Sequence, residues 1–403
     1  MKKTYVYILF SIITYLSVTH SCVEPVELNT LKSEDLLVVE ATLTNELKNQ
    51  EIKLSRTFLL DSITPISERS ANVQIVDDEQ KTYSFNETSP GIYTSTSMFA
   101  AQPNTTYQLS IITTNGKSYS SKLTQLTKIS QIDNVYAERV INDDGVDGLA
   151  VYVNSYNPNG NAKYYRYEYE ETYKIVAPYW NPEDLVVVEY VVPPLLAFID
   201  KTKEERVCFK TVYSNKIIQT ETSGFIEDRV KKFPVRFIPL TNGEISRRYS
   251  IVVSQYVQSI EAFTFYSTLN DFSGSESILS ANQPGFFSGN VFSNDDPNEK
   301  VIGFFEVSSV TTFQRVYFNF DDFFRAEKRP YFTSCFFSAP LSDDDLGSSP
   351  LASNLNGRPP SFKYHAINEE PNEDFPGPYL LVNAACGDCT RIGSNIVPDF
   401  WID

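Results

Sequence analysis

Histidine is almost missing: His20 and His365 are the only two in 403 residues. A serine triad needs a histidine to take the serine proton. An HExxH zinc site needs two on one helix face. Neither can be assembled here, and no GxSxG turn is present. The phosphate-cradling motifs GxxxxGK[ST] and GxGxxG are absent too. Positive charge is scarce, with 34 Lys and Arg against 51 Asp and Glu and a net charge of −17. No basic patch offsets that deficit along the chain, so no nucleic-acid partner is expected. Sixteen Gly and 22 Pro are scattered without a period, which excludes collagen-like and low-complexity chains. The longest apolar run, residues 5–18, would span only ~21 Å as a helix, against ~30 Å for a bilayer core.

That run has another reading. Lys2 and Lys3 precede it, and Ser21-Cys22 follows. A positive start, a short apolar stretch and a small residue before cysteine read as a secretory signal over residues 1–21. Cleavage there leaves Cys22 as the lipid attachment site, and two or more acyl chains anchor stably. Residues 22–35 form an acidic tether behind it.

Four further cysteines remain: Cys208, Cys335, Cys386 and Cys389. In an exported chain, structural disulfides are expected. Four cysteines allow three pairings, and the sequence does not choose among them. A zinc site would need a second close pair beside Cys386-Gly-Asp-Cys389, and redox work would want that CxxC at a helix N-terminus.

Aromatics make up 14% of the chain, with 28 Phe and 25 Tyr, enough for a sizeable core. The fold class expected is mainly β. An immunoglobulin-like β-sandwich should occupy 36–128, followed by a larger β-rich domain over 129–403 with one notable helix. In the first part Leu37, Val39, Ala41 and Leu43 alternate with other residues, as do Val73 and Ile75, then Tyr107, Leu109 and Ile111. Asn115-Gly116 predicts a type I′ hairpin, with positive φ at both positions. In the second part, candidate strands over 148–156 and 163–175 flank the turn Asn157-Pro158-Asn159-Gly160. Tyr165, Tyr167 and Tyr169 share one face of the latter; Arg166, Glu168 and Glu170 share the other. Such a tyrosine face is a core face first and a sugar-stacking platform second. Strands are expected within 205–256 and again over 286–293, 301–308 and 313–320. Ser259 caps a helix over 260–272, whose Ala262, Phe265, Tyr266 and Leu269 form one apolar stripe. Residues 339–376 read as loops, and Trp401 near the end should dock on the body.

No catalytic residue, metal site or cofactor is assigned, so the chain is read as a non-enzyme. Acidic clusters at 142–147, 294–296 and 343–345 lack EF-hand spacing and read as solvated turns. A carboxylate pair for glycoside hydrolysis finds no motif to support it.

Several stretches together carry a family likeness: Cys22 followed by Val-Glu-Pro, YVNSYNPNGNAKYYRYEYEETYKI (152–175), RVCFKTVYSNKII (206–218), SIEAFTFYSTL (259–269), QPGFFSGNVFSNDDPNEKVIGFFEVSSV (283–310) and CGDCTRIGSNIVPDFW (386–401). In this order they resemble the Bacteroidota lipoprotein family called domain of unknown function 4249. The resemblance implies a lipid-anchored, surface-exposed outer-membrane protein that keeps company with a TonB-dependent nutrient transporter, and it brings no catalytic residue. The acidic Glu24 and Glu27 behind Cys22 are similar to a surface-export signal of such bacteria. Asp61-Ser62-Ile63 resembles their O-glycosylation triplet, with Ser62 as acceptor. The function expected is therefore a non-enzymatic accessory of TonB-dependent nutrient uptake, with a surface adhesin or glycan-binding lipoprotein as the alternative.

Overall fold

The computed structural model describes residues 35–57, 66–274, 289–357 and 359–403. The leader, Cys22 and Ser62 lie outside the described residues. The chain is mainly β, as its alternating pattern requires.

The N-terminal strands are Leu37–Thr44, Glu51–Arg56, Asn72–Asp77, Thr82–Ser89, Ile92–Ser95, Thr106–Ile112 and Ser118–Ser121, with short pieces at Ile66–Ser67 and Thr124–Gln125. Their hydrogen bonds form one continuous path. Period two turns Leu37, Val39, Ala41 and Leu43 inward, where they join Val73, Ile75, Tyr107, Leu109 and Ile111 in one core. The hairpin at Asn115-Gly116 is present, but only Gly116 takes positive φ (+86°). Thr113 N–H bonds Lys117 O, Gly116 N–H bonds Thr113 O, and Asn115 Oδ1 accepts from Lys117 N–H. The connection is thus a longer loop with glycine at its left-handed position, not the two-residue type I′ turn.

One strand, Val301–Thr312, joins the two parts of the molecule. Its first eight residues pair parallel with Leu37–Thr44. Its last four pair antiparallel with residues 254–257. Just before it, Val291–Ser293 adds to the edge at Ser118–Ser121. Val291, Val301, Phe305 and Val307 therefore belong to the N-terminal core, although they stand far beyond residue 128. Alternation reveals that a strand is half-buried; it does not say which sheet receives it.

The second part packs two sheets face to face. In one, Tyr164–Val176 lies between Arg248–Gln258 and the pair Val207–Tyr213 and Ile218–Glu221. The other holds Ile132–Ile141, Asp147–Asn157 and Asp228–Pro239. The turn ending at Gly160 (φ +65°) carries the chain from one sheet to the other instead of closing a hairpin. Tyr165 and Tyr167 are 0% exposed in the core between the sheets. Their hydroxyls donate to Asp228 Oδ1 (2.7 Å) and Gln255 Oε1 (3.0 Å), as buried phenols require.

The helix runs Ile260–Gly274, with Ser259 Oγ accepting from Ala262 N–H. Ala262, Phe265, Tyr266 and Leu269 lay the expected stripe over Phe304 of the joining strand. Residues 339–376 are not all loop. Ser349 caps a helix at Pro350–Leu355, and Phe362–Ile367 pairs with Tyr379–Asn383. A six-residue strand with polar, proline-rich flanks carries too little pattern to be read without its partner. A separate hairpin, Glu183–Glu189 with Leu195–Asp200, stands beside this small sheet. Trp401 docks as expected, 4.9 Å from the ring of Phe209.

Candidate functional site

Leu37–Thr44 buries its odd-numbered residues, so Val38, Glu40 and Thr42 face the other way. In Tyr164–Val176, burying Tyr165 and Tyr167 likewise turns Arg166 and Glu168 to the opposite face. The helix Ile260–Gly274 brings Phe265, Tyr266 and Leu269 against both. Between them lies a cavity of about 670 Å³ at the junction of the two β parts.

Arg166 forms its floor and is only 8% exposed. Its guanidinium sits 4.3 Å from the ring of Tyr256 and 5.3 Å from that of Tyr266, a desolvated cation–π arrangement. It pairs with Glu168 through one terminal nitrogen and with Glu306, at 3.4 Å, through the other. Glu306 also accepts from Gln258 Nε2 (3.1 Å) and Ser308 Oγ. Tyr256 donates to Glu168 at 3.0 Å. Burial works against the arginine's charge, but Glu306, Tyr266 and Glu168 outweigh it and hold the cation. Burial, followed by Glu168 for Tyr256 and Glu306 for Tyr266, pushes both phenols far above their ordinary range, so they stay neutral. Among the described residues, Arg166 Nε is buried without a hydrogen-bond partner.

The arrangement offers aromatic and aliphatic walls, the ion-paired Arg166, and Glu40, Glu51, Lys48 and Lys53 along the lining. That chemistry suits holding a small polar molecule. A larger recess of about 1040 Å³ opens across the helix, beside Thr264, Thr268 and Asn290. Its lining is polar as well, with Lys122, Gln125, Glu261 and Asn290, but among the described residues no guanidinium flanked by aromatic rings stands in it; that set is what marks the junction cavity.

The other residues marked by the sequence lie elsewhere. Cys208 bonds Cys389 and Cys335 bonds Cys386. The CxxC is thus split between two bridges, which leaves no thiolate from these four for zinc and no CxxC dithiol for redox work. His365 packs 5.3 Å from Tyr179 and 5.4 Å from Phe337. Tyr165 and Tyr167 are core, so the tyrosine face is no exposed stacking platform. Two of the acidic clusters serve their own turns: Asn142 Oδ1 accepts from Asp144 and Val146 N–H, and Asp344 Oδ1 from Leu346 and Ser348 N–H. Asp295 Oδ2 accepts from Ser118 N–H, and Asp296 Oδ1 from Asn298 N–H. A close carboxylate pair, Glu171 and Glu244, clamps Arg236 at 2.9 and 2.6 Å. Burial pushes the Glu244 carboxyl up, yet Glu171 also binds the buried Tyr249 hydroxyl. This is a framework network within the second core. Sequence reading placed Arg166 and Glu168 on a common face but missed Glu306, whose side chain meets them only because the joining strand crosses between sheets.

A family model described as Domain of unknown function (DUF4249) matches residues 23–314. The matched span contains the N-terminal sheet, every residue lining the junction cavity, and the joining strand. It ends before Cys335, Cys386 and Cys389. No curated protein matches the chain.

Proposed function

The chain belongs to the DUF4249 family, and from that premise we propose that it is a lipid-anchored protein of the outer-membrane surface, a non-enzymatic accessory of a TonB-dependent nutrient transporter. Its task is to capture a small polar nutrient and present it to the transporter. The observation that carries the reading is the junction cavity, lined by the ion-paired Arg166 and two neutral tyrosines. Capture needs a concave site with a few placed polar groups. The leader and Cys22 supply the anchor, and a strongly acidic body suits a partner of opposite charge or a neutral one.

Purification of the tagged protein from outer membranes in mild detergent, followed by mass spectrometry, tests this. A TonB-dependent barrel should co-purify and be lost when Cys22→Ser releases the anchor. Repeated recovery of the protein alone, still membrane-bound, would sink the reading.

A further inference from the structure

Although no basic patch is visible along the chain, the fold assembles one. The end of Tyr164–Val176, the start of Arg248–Gln258 and the segment Asn319–Asp321 enclose a recess of about 550 Å³. A second recess of about 310 Å³ adjoins it, sharing Val176 and Arg247. Together they gather Lys174, Arg206, Arg247, Arg248 and Arg329 against two carboxylate side chains, Asp321 and Asp403. Both carboxylates are already engaged, Asp321 with Arg329 (2.5 Å) and Asp403 with Lys174 (2.6 Å).

Arg247, shared by both recesses, is half-buried, and among the described residues it has no ion pair, side-chain hydrogen bond or ring contact. Burial and the facing Arg329 push its pKa below the ordinary arginine value, with Asp321 opposing and Arg206 adding to the fall. Arg248 spends one terminal nitrogen on Asn319 (2.9 Å) and stacks on Tyr317 (4.8 Å), but its Nε is buried without a hydrogen-bond partner among the described residues. The indole N–H of Trp180, in the wall of the second recess, is likewise buried with no hydrogen-bond partner among the described residues. A chain of net charge −17 has carboxylates to spare, yet leaves these donors unanswered. Repelling cations and orphaned N–H groups around one concavity are the complement of a missing anion.

We propose that this recess binds a small multivalent oxyanion, a phosphate group either free in solution or carried on a small molecule. Forked guanidinium donors suit the oxygens of such a group. More than one unneutralised cation favours a multivalent anion over a monovalent one. The site is separate from the junction cavity and does not depend on its role.

The test is calorimetric titration of the full chain in neutral detergent at low salt, with inorganic phosphate, glucose 6-phosphate and acetate. Phosphate should saturate one site, acetate should bind far more weakly, and R247Q should weaken phosphate about tenfold or more. R247K, which keeps the charge but loses the fork, should fall between. R247Q removes a repelled cation, so its melting temperature without anion should hold or rise, which separates lost binding from lost folding. Tighter binding of glucose 6-phosphate than of phosphate would identify the group as carried. No saturation by either up to roughly 10 mM, an equal response to acetate, or indifference to R247Q would each overturn the proposal.

Discussion

At the scale of single residues, the pair Arg166–Glu306 shows what burial demands. Glu306 is 2% exposed, and the Arg166 guanidinium is the cation paired with it. R166M should therefore cost ~3–5 kcal/mol by leaving a buried carboxylate unpaired. The double variant R166M/E306Q should recover most of that loss. Urea unfolding of the three proteins measures it, and equal stability of the single and double variants would contradict the assignment. Glu299 makes the pH case. Burial pushes its carboxyl up, but hydrogen bonds from Lys117 (2.7 Å), Tyr119 (2.8 Å) and Ser293 (2.9 Å) hold it below its ordinary 4.5. The same carboxylate, after burial, pushes Tyr119 up to about 12. A folded pKa below the unfolded one means the contribution is complete above the unfolded value and disappears as pH falls through the folded one. E299Q should cost ~1–2 kcal/mol at neutral pH and flatten the stability decline below about pH 4.5. An acid limb as steep as in the parent would argue against it. Much at this scale was readable beforehand. Faces follow from spacing, so Tyr165 and Tyr167 against Arg166 and Glu168 were legible. Glu306 was not, because its neighbours are set by pairing between distant strands.

At the scale of elements, the joining strand depends on Gly303. Its φ is +157°, and a Cβ there would stand 2.4 Å from Val39 O, the residue it faces in the parallel ladder. G303A should open that ladder at a cost of ~1–3 kcal/mol. Hydrogen exchange would report it as faster exchange across Leu37–Thr44, with Tyr164–Val176 less affected. Uniform change, or none, would remove Gly303 from this role. Strands and the Ser259-capped helix were legible because their periodicity and caps are local. The partner of each strand was not. The strand Phe362–Ile367 was missed outright, since only its neighbour Tyr379–Asn383 makes it a strand. The pair 148–156 and 163–175 was seen as two strands, but their separation into facing sheets was not.

At the scale of the whole molecule, the two β parts share one strand, and one of the two bridges ties the end of the chain to the middle. Cys208–Cys389 closes a separation of 181 residues and Cys335–Cys386 one of 51. In the chain-entropy view such loops give the largest gains. The double variant C208S/C389S should lower stability by ~2–5 kcal/mol and free the tail around Trp401. Limited proteolysis should then cut first within residues 392–403. Retained resistance there would show that Phe209 and Tyr317 hold Trp401 without the bridge.

The shared strand also sets a timetable. A ribosome delivers the chain from its N-terminus, and Leu37 cannot meet its ladder partner Val301 until some 260 further residues have been made. At ~5–20 residues per second, that wait is on the order of 10–50 s. Through it, Leu37–Thr44 is an unpaired edge, the kind of surface on which nascent chains stick to one another. A gene fragment ending at residue 128 would never leave that condition, so the N-terminal β unit is a late product of synthesis although it is the first to be encoded.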